Sequence, residues 1–281
     1  MRVYIEIGNV CNLSCSFCPR ITREKRQMNE GEFRRVMTEC APVASEIYFH
    51  LMGEPLLHPM LDTFLSIAEE FGIPVCITCN GTLLSKKGYI LLQHAKIIKK
   101  VSISLQSFES NSKKQTLSAY IGECVDFAKK ACKEGIYSIF RLWNLSREDR
   151  AGENKSNGEI LALLHKAYPE EWQERYSGYR IGKNTFIERA EIFDWPTESM
   201  AQPDAYGHCY GLLDQIGVLA DGTVVPCCLD AEGEIALGNL YESTLEKILA
   251  SARACRMRDG LKQGNFTEPL CQKCTYSRRF S

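Results

Sequence analysis

Residues 3–18, VYIEIGNVCNLSCSFC, decide how the rest of the chain is read. Val3 to Gly8 is rich in β-branched and aromatic residues and reads as a strand. The loop after it carries Cys11, Cys15 and Cys18 in a C-x3-C-x2-C spacing, with Phe17 beside the last thiol. Thiolates are soft ligands that suit iron–sulfur clusters and zinc. Three close cysteines without a fourth nearby leave one iron of a four-iron cluster without a protein ligand, open to a small molecule. A structural zinc site closes all four positions with protein. In a parallel α/β fold, the loop after a strand opens on the active face.

Outward from this loop, β-rich runs alternate with helix-like stretches. Strands are expected at 46–52, 73–79, 100–108, 137–144 and 184–193, and helices at 30–41, 61–71, about 118–135 and 158–168. Such alternation implies a parallel sheet covered by helices. Six units point to an incomplete barrel or a doubly wound sheet, and spacing alone does not choose between them. After a linker-like stretch near residue 200, QIGVLADGTVVPCC places two apolar runs around Asp221-Gly222, a strong hairpin signal. A helix is expected at roughly 243–258, then a polar tail. The expected division is 1–200 and 201–281.

Composition sets the class. The chain has 281 residues, 44% hydrophobic and 25% charged, with a formal net charge of −1. This is ordinary for a globular protein with a real core, and no global field points to nucleic acid or a membrane surface. No apolar run is long enough to span a bilayer and no signal peptide opens the chain, so a cytoplasmic location is expected. The fourteen cysteines are the anomaly. A reducing compartment disfavours a disulfide framework, so metal binding or redox chemistry explains them better. Cys76, Cys124 and Cys132 lie in apolar or helical patterns and are expected in the core.

CNLSCSFC at 11–18 resembles the mark of the radical S-adenosylmethionine (SAM) superfamily, C-x3-C-aromatic-C after the first strand. HLMGEPLLHP, ending the second strand, resembles the family's Gly-Glu-Pro motif, here Gly53, Glu54 and Pro55, which contacts the SAM amino group. The resemblance implies a partial (β/α)6 TIM-like barrel with SAM at its mouth. It also implies roles near the cofactor for Asn80, for Ser102 and Ser104 (with Gln106 continuing their face), and for Arg141 against the SAM carboxylate. Trp143 and Asn144 could line a substrate pocket, with packing the expected role of Trp143. Tyr4, Glu6 and His50 alternate toward the expected barrel interior, where they could contact substrate, and Glu6 and His50 are equally read as satisfied core polar groups.

The C-terminal part holds Cys209, Cys227, Cys228, Cys255, Cys271 and Cys274. C-x17-C, with Gly222 before Cys227, then a long gap and C-x2-C, resembles the twitch domain, a shortened SPASM domain. The resemblance, over about 205–276, implies a small hairpin-plus-helix domain with an auxiliary 4Fe-4S cluster on Cys209, Cys227, Cys271 and Cys274. The SPASM pattern has further cysteines beyond the C-x2-C pair, so one auxiliary cluster is expected. Cys228 is an alternative ligand, or a hydrogen donor at the active site. The same ligand types also allow a four-cysteine zinc site.

In the family, a reduced cluster cleaves SAM to a 5′-deoxyadenosyl radical that abstracts a substrate hydrogen. A fully ligated auxiliary cluster would accept or relay the remaining electron, so two-electron oxidation of an alcohol or a peptide side chain is expected. The spacing is similar to that of radical SAM alcohol dehydrogenases with a twitch domain. Epimerisation or crosslinking of a ribosomal peptide is the alternative, with Cys228 or Cys255 as thiol donor. The first strand begins almost at Met1 and the chain ends just after Cys274, leaving no expected room for a leader-binding domain. An alternative of another class is a zinc-stabilised binding module using REKRQ at 23–27 and Arg278-Arg279 against phosphates. The partners implied are a small-molecule or peptide substrate and an electron donor such as flavodoxin or ferredoxin.

Overall fold

The computed structural model describes residues 1–111, 115–145, 156–197 and 205–280. Its strands are, in chain order, β1 (Arg2–Ile5), β2 (Glu46–Phe49), β3 (Val75–Cys79), β4 (Ile98–Ser104), β5 (Tyr137–Leu145) and β6 (Gln173–Arg175). Then come β7 (Gly178–Gly182), β8 (Thr185–Glu191), β9 (Gln215–Val218), β10 (Thr223–Val225) and β11 (Gly238–Asn239). They form one eleven-stranded sheet in the order β11-β10-β9-β1-β2-β3-β4-β5-β8-β7-β6. From β1 through β5 to β8, every neighbour pairs in parallel. Six parallel strands laid down sequentially, without the reversal of a doubly wound sheet, are the curved wall of a partial barrel.

Alternation sorts the two faces. Val3, Ile5, Ile47, Phe49, Val75, Val101, Ile103 and Phe140 are fully buried beneath the helices. Tyr4, Tyr48, Thr78, Ser104 and Arg141 take the opposite parity and reach the cavity on the concave side. The covering helices are α1 (Glu30–Cys40), α2 (Leu61–Phe71), α3 (Leu84–Gln93), α4 (Leu117–Lys133) and α5 (Asn157–Ala167). Asn29 and Glu32 close a capping box on α1, whose Phe33, Val36, Met37 and Cys40 are buried. Thr116 caps α4, and Gly72 ends α2 in the left-handed conformation.

The hairpin around Asp221-Gly222 is β9–β10, and it does more than decorate the C-terminus. β9 pairs in parallel with β1, Arg2 opposite Gln215 and Ile5 opposite Val218. The C-terminal part thus extends the barrel wall in one continuous sheet. The expected boundary at residue 200 lies outside the described residues. Past the hairpin lie α6 (Leu245–Leu249), α7 (Ala252–Lys262) and α8 (Pro269–Gln272).

Several expectations are corrected. The helix expected at 243–258 is two helices, because Ser251 takes an extended backbone and caps α7 through Ala254 N. Strand β4 stops at Ser104, and Leu105–Ser110 is a 3-10 helix that carries Gln106 off the strand. Helix α3 and the β6–β7 hairpin were not anticipated. In the run REKRQ, Arg23 pairs with Glu6 and Arg26 with Glu32. Arg278-Arg279 have no described side chains. Cys76 and Cys124 are buried as expected, whereas Cys132 is half-buried. No described helix is long and apolar enough to cross a membrane.

Candidate active site

Cys11, Cys15 and Cys18 stand on the loop between β1 and α1, at the mouth of a cavity of about 230 Å³. Cys11 and Cys18 are exposed and Cys15 is half-buried. Both ends of the loop are anchored. On one side, the Arg23 guanidinium meets the buried Glu6 carboxylate in a two-pronged pair at 3.0 and 2.7 Å. Glu6 also accepts from Ala220 N, and Arg23 Nε donates to Ala231 O, so this pair pins the loop to the C-terminal hairpin. Glu6 therefore serves structure and does not face the cavity.

On the other side, Asn80 Nδ2 donates to Asn12 Oδ1 at 2.9 Å and lies 3.9 Å from Cys11 Sγ. Its own Oδ1 accepts from Thr82 N and Thr82 Oγ1. The Asn80 carbonyl is held by Ser107 and Tyr120. A short local run after β3, Asn80 to Thr82, thus clamps the cysteine loop from across the barrel. A hydrogen bond from Cys18 lowers the Cys15 thiol to about 7, while that bond and burial raise Cys18.

Gly53, Glu54 and Pro55 line the same cavity. Gly53 has φ +80°, and a Cβ there would lie 2.2 Å from the Gly8 carbonyl oxygen. Glycine is required by this backbone-on-backbone contact with the end of β1. The Glu54 carboxylate accepts from Leu56 N at 3.1 Å and Asn80 N at 2.7 Å, and burial pushes it up to about 7. Just before the motif, Leu51 holds φ 118° beside the cavity, a strained conformation for a non-glycine residue.

Arg141 reaches in from β5, with Nε 3.3 Å from Glu188 Oε2, Nη1 3.4 Å from Thr78 Oγ1, and its guanidinium 4.5 Å over the Trp143 ring. Ser104 and Gln106 line the cavity, but Ser102 is 1% exposed and does not. Tyr4, His50 and Trp143 line it, and Asn144 instead bonds Asn157. Sequence reasoning missed Thr78, which lies on β3 with the same parity as Asn80 just past its end. It also missed Phe193 and Trp195, at loop positions, and Tyr276, in the 3-10 turn Thr275–Phe280, whose aromatic character carries no pattern.

A second cavity, of about 200 Å³, is lined by Cys209, Cys227, Cys271 and Cys274 together with Cys228. Burial raises all five thiols, Cys228 to about 12. Cys255 lies apart on α7, within 3.3 Å of Arg258 Nη2. Tyr4, Cys228, Leu229 and Tyr276 line both cavities. Among the described residues, no three His, Cys, Asp or Glu side chains close around a single ion.

Residues 5–150 match the profile of the Radical SAM superfamily, and residues 209–275 that of the SPASM iron-sulfur cluster-binding domain. The chain belongs to the Radical SAM superfamily and is an enzyme of that family carrying a SPASM domain. Among curated proteins, it is 29% identical over 93 residues to the S-adenosyl-L-methionine-dependent 2-deoxy-scyllo-inosamine dehydrogenase of Niallia circulans. That match covers 30% of this chain and 37% of the dehydrogenase. Among solved structures, it resembles BtrN in complex with AdoMet and 2-DOIA, at 18% identity and a TM-score of 0.60 over 98% of this chain and 92% of that one. It also resembles anSMEcpe with bound AdoMet and Cp18Cys peptide, at 13% identity and a TM-score of 0.60 over 99% and 86%. These likenesses support the fold, a mostly parallel α/β sheet with a C-terminal SPASM domain.

The family implies SAM and a 4Fe-4S cluster, and the SPASM domain auxiliary iron–sulfur. The residues present fit both groups. Three soft thiols stand open to a cavity furnished with a guanidinium, several hydroxyls and a buried carboxylate. Four more gather at a neighbouring cavity with little competing hard-oxygen chemistry besides Asp230, whose oxygens accept from Glu234 N and Ile235 N.

Proposed function

We propose that this enzyme holds the SAM-binding cluster on Cys11, Cys15 and Cys18, and one auxiliary cluster on Cys209, Cys227, Cys271 and Cys274. Its reaction is a two-electron oxidation of an alcohol or a peptide side chain. The carrying observation is the common wall of Tyr4, Cys228, Leu229 and Tyr276, which supports a substrate position between the two cysteine-lined cavities. When bound, the reduced first cluster with SAM supplies a hydrogen-abstracting 5′-deoxyadenosyl radical, and the fully ligated second supplies a one-electron acceptor.

The protein's own residues bind, orient and exclude water. Arg141, balanced by Glu188, offers a guanidinium to the SAM carboxylate, and Thr78 and Ser104 offer hydroxyls beside it. Gly53, Glu54 and Pro55 present a carboxylate and carbonyls to the SAM ammonium, and Asn80 sets the loop beneath. Ser102 takes no part in this arrangement. Trp195, anchored by Nε1 to the Phe17 carbonyl at 2.9 Å, and Phe193 against it wall the cavity from solvent. The proposed units are 1–200 for the SAM site and 201–281 for the auxiliary site, with flavodoxin or ferredoxin as reductant.

Anaerobically reconstituted protein given SAM, dithionite and candidate substrates should form 5′-deoxyadenosine and a product two hydrogens poorer. A dithionite-reduced paramagnetic signal that ignores added SAM would overturn the assignment of the first cluster. A second reading, epimerisation, is favoured by one observation, the thiol of Cys228 at both cavities. It requires product of unchanged composition carrying solvent deuterium at the reacting carbon. Loss of that label in Cys228→Ala, with SAM cleavage intact, is its signature.

A further inference from the structure

Among the described residues, the wall shared by the two cavities contains no carboxylate, ammonium or guanidinium. Tyr4, Cys228, Leu229 and Tyr276 compose it. Behind it, Tyr4 stacks on Tyr48 at 4.8 Å and approaches the His50 ring at 5.9 Å. The His50 imidazole faces the cavity and makes no hydrogen bond among the described residues. Among those residues, Glu54 is the one carboxylate lining the SAM-side cavity, and it is the one assigned above to the SAM ammonium.

Aromatic faces can hold a substrate cation in place of a carboxylate. Here two of them already carry the protein's own cations, Lys100 5.3 Å from the Tyr48 ring and Arg141 4.5 Å from Trp143. A substrate ammonium placed here would shed its hydration, meet like charge and find no free counter-ion. An apolar or aromatic group would meet Leu229 and tyrosine rings, with one imidazole in reach.

We infer that the space between the two cavities selects a substrate presenting an uncharged, apolar or aromatic group, with His50 as its hydrogen-bonding contact. This rests on the two-cavity reading above. It sets the enzyme apart from a dehydrogenase of an amine-bearing cyclitol, the substrate named for the curated relative.

The test is calorimetric binding to reconstituted protein holding SAM, without reductant, so that no turnover enters. The probes are N-acetyl-phenylalaninamide, benzyl alcohol, N-acetyl-lysinamide and 2-deoxy-scyllo-inosamine. The phenylalanine amide or benzyl alcohol should bind about tenfold or more tighter than either amine. A tighter amide assigns a peptide source, and equal binding of the two a small molecule. Equal or tighter binding of an amine overturns the inference, as does failure of both uncharged probes to bind protein that binds SAM. Leu229→Glu, with iron content unchanged, should reverse the order by supplying the missing carboxylate; an unreversed order counts against the inference. Where that variant loads no iron, the wild-type comparison alone decides. Discrimination without SAM cleavage on reduction sinks the oxidation reading and leaves this one standing. SAM cleavage by protein that prefers the lysine amide does the reverse.

Discussion

The two cysteine sets are assembled in opposite ways. Cys11, Cys15 and Cys18 belong to one loop and keep two thiols exposed. Cys209, Cys227 and the Cys271–Cys274 turn come from three separate segments, and all four cysteines are half-buried. A loop motif needs only local geometry to collect its ligands and can leave a face open. A site gathered from a hairpin and a distant C-x2-C turn forms only once the surrounding chain has folded. The difference matches an open, reactive centre beside a closed one.

Breaking either site separately gives the largest expected effects. Cys15→Ala should reduce SAM cleavage to background and take iron from about eight to about four per chain. Cys271→Ala should lose a similar share of iron yet retain SAM cleavage, while the oxidised product disappears. Iron analysis and 5′-deoxyadenosine assays check both, and equal loss of SAM cleavage in the two variants would erase the distinction. Within the second set, Cys227→Ser should lose the auxiliary iron and Cys228→Ser keep it. The opposite result moves the ligand to Cys228.

The seam between the regions can be tested next. The side chain of Glu6 is fully buried and that of Arg23 is 13% exposed. Arg23→Met leaves that carboxylate without its cation and should cost about 3–5 kcal/mol, read from the denaturant midpoint. Adding Glu6→Gln should recover part of the loss; no recovery would mean the arginine acts through packing alone. The smallest effect belongs to the barrel side only. Burial lowers the His58 imidazole from 6.5 to about 4. Its contribution to stability is full above pH 6.5, where both folded and unfolded forms are neutral, and declines toward pH 4 as the unfolded form takes up a proton. His58→Gln should flatten that acid limb in pH-dependent melts; an unchanged limb assigns it to other groups.

Local features were legible in the chain, and non-local ones were not. CNLSCSFC and GEP announced themselves by spacing, and the hairpin by Asp221-Gly222. The partial barrel followed from alternation. Helix α3 was missed because Leu83 at its start makes no side-chain cap and its first turn holds no acid. Ser102 shares parity with Ser104, yet it sits deeper along β4 and never reaches the cavity. The union of β9 with β1 depends on partners more than two hundred residues apart, as the Arg2–Asp214 pair records. No periodicity encodes such a pairing. The same holds for Glu6, whose alternation pointed inward while its partner lay on the far side of the cysteine loop.

That union has a consequence for how the protein is born. Strand β1 leaves the ribosome before its β9 neighbour, which is translated roughly ten to forty seconds later at ordinary elongation speeds. Until then one flank of the nascent wall offers unsatisfied amides and carbonyls, and the loop above it lacks the Ala220 and Ala231 tethers. That flank is closed only when β9 pairs with β1, so the wall is completed late in synthesis.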